Sequence, residues 1–380
     1  MKLLRSAIIL FGAGLATSAA VPERQHQAVL SVGDAQDGPL ISSSSTTLFG
    51  SLERLARLVD IAYCVGTAGT GVAPPFSCVS RCHEFPELRL VASWNTGVLL
   101  GDSCGFVAAD DGRREVFVVF RGTYSLTNTV EDLRTVPQDY KPYPGTALAC
   151  RNCTVHAGFF DSWQSARPLV LPAVAAARDP SSSPDTQATQ PLSPYTVRLV
   201  GHSLGGAVAA LAGLEMRTSL GWDDVHVTTF GQPRIGNKGL AAFVETVFGL
   251  DNNNNNNNNM TMTTTTTNSF RRVTHRNDPV PLLPLAEWGF RSHAGEIFID
   301  KHDLPPSPDD LLLCRGRDDP ACIAGPSSDS LYGSLPRLRL WELFFAHRDY
   351  FWRLGLCFPG GDPADRWRNV HYGDPSADEL

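Results

Sequence analysis

A chain of 380 residues, 42% apolar and with a formal charge of −7, can bury one sizeable α/β core, and its acidic balance lacks the basic footprint of a nucleic-acid binder. No fixed-period repeat is present, which excludes a solenoid or propeller array. After residue 20 no stretch reaches the roughly 18 to 20 continuous apolar residues of a membrane-spanning helix, so the mature protein is expected to be soluble.

The first twenty residues combine Lys2 and Arg5, an apolar run from Ala7 to Ala16 and small residues at Ser18, Ala19 and Ala20, the pattern of a cleaved signal peptide. Losing Lys2 and Arg5 with this leader takes the charge from −7 to −9. Residues 21–47 are polar, include the run Ser42 to Ser45 and read as a propeptide or flexible lead-in. A single folded domain is expected over 48–360, followed by a polar tail at 361–380.

Within that domain, Leu52, Leu55, Ala56, Leu58 and Val59 recur at helical spacing and predict a helix leading into Tyr63 and Cys64. Cys104–Ala109 and Glu115–Phe120 predict two strands around the turn Asp110-Asp111-Gly112. Thr196–Gly201, Leu204–Arg217 and Val225–Phe230 read as strand, helix, strand, the unit of a parallel sheet. Leu240–Phe248 is helical in pattern, and Phe270–His275 is a further strand. The Ser/Pro/Thr-rich stretch 179–194 and the Asn and Thr runs of 251–268 cannot bury enough apolar surface to offset ordering, and read as surface insertions.

Nine cysteines behind an export signal point to disulfides, since no Cys/His cluster has zinc spacing. Cys78 with Cys82 and Cys150 with Cys153 are spaced for local clips, a Cys64–Cys357 bridge would close a very long loop, and Cys314 with Cys322 would make a fourth. Cys104, in an apolar run, reads as a buried free thiol without a catalytic role.

Chemistry concentrates at Gly201-His202-Ser203-Leu204-Gly205, where Gly-x-Ser-x-Gly follows a predicted strand and opens a predicted helix. The flanking glycines permit a sharp turn that leaves Ser203 exposed as a nucleophile. A serine hydroxyl needs an imidazole to take its proton and a carboxylate to hold that imidazole, here expected in the order Ser, acid, His. Asp278, directly after the strand Phe270–His275 and before a loop stiffened by Pro279 and Pro281, is the favoured acid over Asp300, Asp303 and Asp349. His347, among Phe344, Phe345, Tyr350 and Phe351, is the favoured base over His293, His302 and His371.

F-R-G-T at Phe120–Thr123, H-A-G-F at His156–Phe159, G-H-S-L-G-G, F-G-Q-P-R-I-G-N at Phe230–Asn237, N-D-P-V-P and A-H-R-D-Y-F occur in one order. Together they make the chain resemble the filamentous-fungal class 3 lipases, over about Leu48 to Phe358. The resemblance implies an α/β-hydrolase fold with a mostly parallel central sheet flanked by helices, and Ser203, Asp278 and His347 as a catalytic triad. It implies an oxyanion hole at Thr123 and Leu204, and bridges Cys64–Cys357, Cys78–Cys82 and Cys150–Cys153. It also implies a short helical lid over Tyr124–Leu133, where Leu126, Val130 and Leu133 share one helical face suited to transient contact with a lipid–water interface. The lid has Asn128-Thr129 where some family members carry a Trp. Arg121, His156 and Gln232-Pro233-Arg234 are expected to be structural.

The function expected is hydrolysis of acylglycerols through an acyl-enzyme, with no metal or cofactor and with a lipid or small ester as the partner. A feruloyl or other small-ester esterase is the rival within the same chemistry, and a lid-covered acyl-lipid binder without turnover is the rival outside it. Secretion is the expected destination. The terminal Ala377-Asp378-Glu379-Leu380 offers retention in the endoplasmic reticulum as the alternative. The sequons Asn152-Cys153-Thr154 and Asn259-Met260-Thr261 are compatible with a glycoprotein.

Overall fold

The apolar runs of the sequence become the middle of one eight-stranded sheet. A computed structural model describes residues 43–66, 71–97, 102–123, 137–179, 193–250, 269–325 and 345–359, all within one unit spanning 41–380. The predicted leader, most of the lead-in, the predicted lid, the bulk of both insertions, the sequon at Asn259 and the tail lie outside the described residues.

The sheet runs β1 (Leu88–Asn95), β2 (Cys104–Asp110), β3 (Glu115–Phe120), β6 (Thr196–His202), β7 (Val225–Phe230), β9 (Phe270–His275), β11 (Glu296–Ile299) and β12 (Leu311–Leu313). β3, β6, β7, β9 and β11 are mutually parallel, and antiparallel pairs close both edges. β2 and β3 form the predicted hairpin, with Asp110 paired to Glu115 and the Asp110 carboxylate accepting from Arg113 N at 2.8 Å. A small sheet of β4 (Pro137–Asp139), β5 (Thr154–His156), β8 (Gly236–Asn237) and β10 (Phe290–Arg291) was not anticipated. Its strands are too short to show a periodicity.

Side-chain alternation along the buried strands feeds two cores. Val116, Val118 and Phe120 face one way, onto α2 (Ala157–Arg178), α3 (Leu204–Thr218) and α4 (Lys238–Phe248). Phe117 and Val119 face the other, onto α1 (Ser43–Ala62) and the segment Tyr350–Leu354. α1 is described from Ser43, five residues before the boundary expected at Leu48, and the buried Leu48 and Leu52 anchor its turns.

α2 was not foreseen, since Pro168 and Pro172 stand inside it. Both prolines are on its exposed side, where water can take the carbonyls they leave unbonded, while Phe159, Trp163, Ala166, Val170 and Val174 bury the opposite stripe. The two insertions leave the core at pinned points. Tyr195 N donates to Arg178 O at 3.0 Å across the first, and Ser269 Oγ to Phe248 O at 3.0 Å across the second.

Four disulfides are present: Cys64–Cys357, Cys78–Cys82, Cys150–Cys153 and Cys314–Cys322. Cys104 is a buried free thiol, its Sγ 2.9 Å from Asn95 Oδ1, with burial pushing it above the ordinary thiol value. Among the described residues no helix is long and apolar enough to cross a membrane.

Candidate active site

The carboxyl ends of parallel strands β6, β7 and β9 meet at one edge, and the chain turns there onto the candidate residues. Ser203 stands between β6 and α3 at φ 58° and ψ −129°, a left-handed conformation that an L-residue holds only under external constraint. The constraint is visible in its neighbours. A Cβ on Gly201 would lie 2.2 Å from Gly205 O, and a Cβ on Gly205 would lie 2.4 Å from Phe120 O, so strand, helix and β3 cross backbone to backbone. Ser203 N donates to Phe230 O at 2.9 Å, which pins the bend to β7.

Asp278 follows β9 by three residues and is fully buried. Its oxygens accept from three donors: His347 Nδ1 at 2.9 Å to each oxygen, Tyr350 Oη at 2.6 Å and Val280 N at 2.9 Å. Burial, reinforced by the carboxylate, pushes the Tyr350 phenol well above its usual value, so it stays a donor. A carboxylate accepts only, hence His347 carries its hydrogen on Nδ1 and presents Nε2 as a base. Among the described residues neither His347 Nε2 nor Ser203 Oγ has a hydrogen-bond partner, although both are buried.

The two oxyanion candidates flank the serine. Leu204 opens α3, so its N–H has no carbonyl within the helix to bond. Thr123 follows Gly122, where a Cβ would stand 2.9 Å from Ser203 Cβ. Arg121, which precedes them, donates to Val65 O at 2.8 Å and Gly122 O at 3.1 Å and holds the end of β3 to the end of α1. His156 is buried and stacks on Phe159 with ring centroids 4.0 Å apart. Gln232 bridges Thr229 and His293, and Arg234 donates to Leu282 O and Pro284 O. These are scaffold contacts.

The rival residues sit elsewhere. His293 is buried at 1% exposure; its Nδ1–H donates to Ala294 O at 2.7 Å, its Nε2 accepts from Gln232, and burial pushes it down to about 3. His302 is exposed and bonded to Asn277. Asp300 pairs with Arg276, Asp349 pairs with Arg353 and Asp303 is exposed, while His371 lies outside the described residues. Three participants escaped the sequence reading: Tyr63 and His202, whose Oη and Nδ1 are 2.7 Å apart, and Tyr350. Among the described residues no group of three or more His, Cys, Asp or Glu is arranged to hold a metal.

Comparison with known proteins agrees with this architecture. The sequence model of the family Lipase (class 3) matches residues 117–288. The chain is 48% identical over 386 residues to a secreted mono- and diacylglycerol lipase 2 of Gibberella zeae, covering 88% of each chain. It is 49% identical over 387 residues to lipase A of Sodiomyces alcalophilus, again covering 88% of each. The crystal structure of the Lip2 lipase from Yarrowia lipolytica superposes with a TM-score of 0.65 at 28% identity, over 82% of this chain and 96% of that one.

Proposed function

Because the chain belongs to the class 3 lipases, we propose that it is a secreted serine hydrolase of acylglycerols, working through an acyl-enzyme on Ser203. Ser203 Oγ attacks the ester carbonyl while His347 Nε2 takes its proton. Asp278 keeps the other nitrogen protonated and stabilises the imidazolium that forms. The carbonyl oxygen, now negative, is received by the N–H groups of Thr123 and Leu204, each contributing on the order of 3 kcal/mol by mutational precedent. His347 returns the proton to the departing alcohol, and water, deprotonated by the same imidazole, then releases the fatty acid and regenerates Ser203.

One observation carries this reading. The buried Ser203 Oγ and His347 Nε2 both lack partners, and His347 is held from behind by an equally buried carboxylate. Acylglycerols are the substrate class because both near relatives bear lipase names and one is named for mono- and diacylglycerols. Contact with a lipid–water interface through residues 124–133, and export from the cell, belong to the same reading.

The test is a substrate panel on purified protein with monoacylglycerol, diacylglycerol, tributyrin and methyl ferulate, alongside Ser203→Ala. Glyceride esters are expected to be turned over and Ser203→Ala to lose at least about 10³-fold in kcat. Preference for the ferulate refutes the substrate class, and substantial activity in Ser203→Ala refutes the nucleophile.

A further inference from the structure

Two buried side chains that the reaction scheme leaves unused, Tyr63 and His202, stand directly behind the reacting groups. Tyr63 follows α1 and is fully buried, and His202 is the residue before the nucleophile, 1% exposed. Tyr63 Oη lies 2.7 Å from His202 Nδ1, and His202 Nε2 lies 2.9 Å from the backbone oxygen of His347. A carbonyl oxygen only accepts, so His202 Nε2 carries a hydrogen. Burial, with His347 and Arg348 nearby, holds His202 well below the ordinary histidine value, so the ring is neutral and Nδ1 is a lone pair. Tyr63 must then donate. The chain of bonds has one direction, from the phenol through the imidazole to the backbone of the base.

The surroundings leave this chain little slack. A Cβ on Gly355 would stand 3.0 Å from Tyr63 Cζ, and one on Gly122 would stand 2.5 Å from Tyr63 Oη. The next residue, Cys64, is bridged to Cys357, which ties the end of α1 to the segment carrying His347. The rings of His202 and His347 are 4.6 Å apart, inclined by 31°.

Asp278 fixes only one nitrogen of His347 and leaves the backbone of that residue to be placed by something else. We propose that Tyr63 and His202 form a positioning pair that locks the backbone of His347 to the residue adjoining Ser203, so that base and nucleophile are referenced to each other through one imidazole. This rests on the assignment of Ser203 and His347 above. Misplacement of reacting groups by about 1 Å costs on the order of 100-fold in rate, so a single bond of this kind has a kinetic effect larger than its share of stability. The Tyr63 hydroxyl also occupies the one nitrogen of His202 able to accept a proton, and thereby keeps a second positive charge from forming beside the imidazolium of the transition state.

The experiment uses the full chain with p-nitrophenyl butyrate turnover and the rate of fluorophosphonate labelling of Ser203. His202→Phe keeps the ring and loses both bonds, and His202→Gln keeps a donor at the position of Nε2. We expect His202→Phe to lower kcat and the labelling rate together by about 10- to 100-fold with KM within about twofold. His202→Gln should recover to within about fivefold of the wild type, Tyr63→Phe should lose about 3- to 10-fold, and Tyr63→Phe should add nothing in the His202→Phe background. Equal losses in His202→Phe and His202→Gln, a loss confined to KM, or independent multiplication of the Tyr63 and His202 effects would each overturn the pair. Should His202→Phe fail to fold, Tyr63→Phe decides alone: unchanged kcat and labelling rate overturn the proposal. Wild-type protein that resists the fluorophosphonate, or Ser203→Ala that keeps activity, would instead sink the functional reading itself.

Discussion

Asp278 is sealed from solvent, so its negative charge is sustained only by donors: an imidazole, a phenol and one backbone amide. Replacing it with Asn preserves shape but offers His347 an amide N–H, which favours the tautomer with its hydrogen on Nε2. We expect Asp278→Asn to fold and to lose about 10⁴-fold in kcat, as the same change does in serine proteases, measured against a soluble ester at constant KM. Ser203, Asp278 and His347 were legible as candidates because each sits in a short motif with a chemical rationale. The partners Tyr63, His202 and Tyr350 were not, since contacts across separations of 139, 145 and 72 residues leave no local trace in a sequence.

At the scale of elements, the sharp bend at Ser203 depends on glycines that differ in what surrounds them. A Cβ at Gly205 meets the carbonyl oxygens of Phe120 and Arg121 at 2.4 and 2.7 Å, rigid backbone that cannot yield. A Cβ at Gly206 meets nothing nearer than 3.2 Å, with the Cβ atoms of Gln232 and Thr229 at that distance and Gly201 O at 3.3 Å. Gly205→Ala should therefore destabilise by more than about 4 kcal/mol and accumulate poorly, and Gly206→Ala by about 1 to 2 kcal/mol, read from urea midpoints and soluble yield. β3, β7 and β9 have the bounds expected from their apolar runs, and β2, β6, α3 and α4 differ by a residue or two. These segments bury a continuous stripe, which imprints a period on the sequence. β1, α2 and the small sheet were missed because their formation is decided by what they pack against. Only two of the eight residues of β1 are fully buried, and the prolines of α2 argue locally against a helix that its buried stripe nevertheless stabilises.

For the whole molecule, closure is achieved by Cys64–Cys357 and by Asp60. That buried carboxylate accepts from Trp352 Nε1 at 2.6 Å, Gly355 N at 2.8 Å and Arg81 Nε at 3.2 Å, and so joins α1 to the last described segment. The bridge spans 293 residues, and Cys357→Ser should lower unfolding stability by about 2 to 5 kcal/mol. Because His347 rides on the freed segment, activity in that variant should vanish at a lower temperature than the far-ultraviolet signal of the sheet.

Acid should also loosen the molecule. His293 is held down to about 3 when folded and rises to about 6.5 when unfolded, so the unfolded chain binds the extra proton and stability falls as pH drops from about 6.5 toward 3. From this group alone the loss between pH 7 and pH 5 is about 2 kcal/mol, and none is expected above pH 7. His293→Asn should flatten that slope in urea titrations at the two pH values. An unchanged slope would assign the acid sensitivity to other groups.

The position of His347 late in the chain sets an order of events during synthesis. A nascent polypeptide carries the Gly-x-Ser-x-Gly segment well over a hundred residues before it contains the imidazole proposed to activate the hydroxyl. Until translation passes that point and the closing segment docks, the serine has no proton acceptor. On the proposed assignment, an unfinished chain is therefore inert toward any ester it meets.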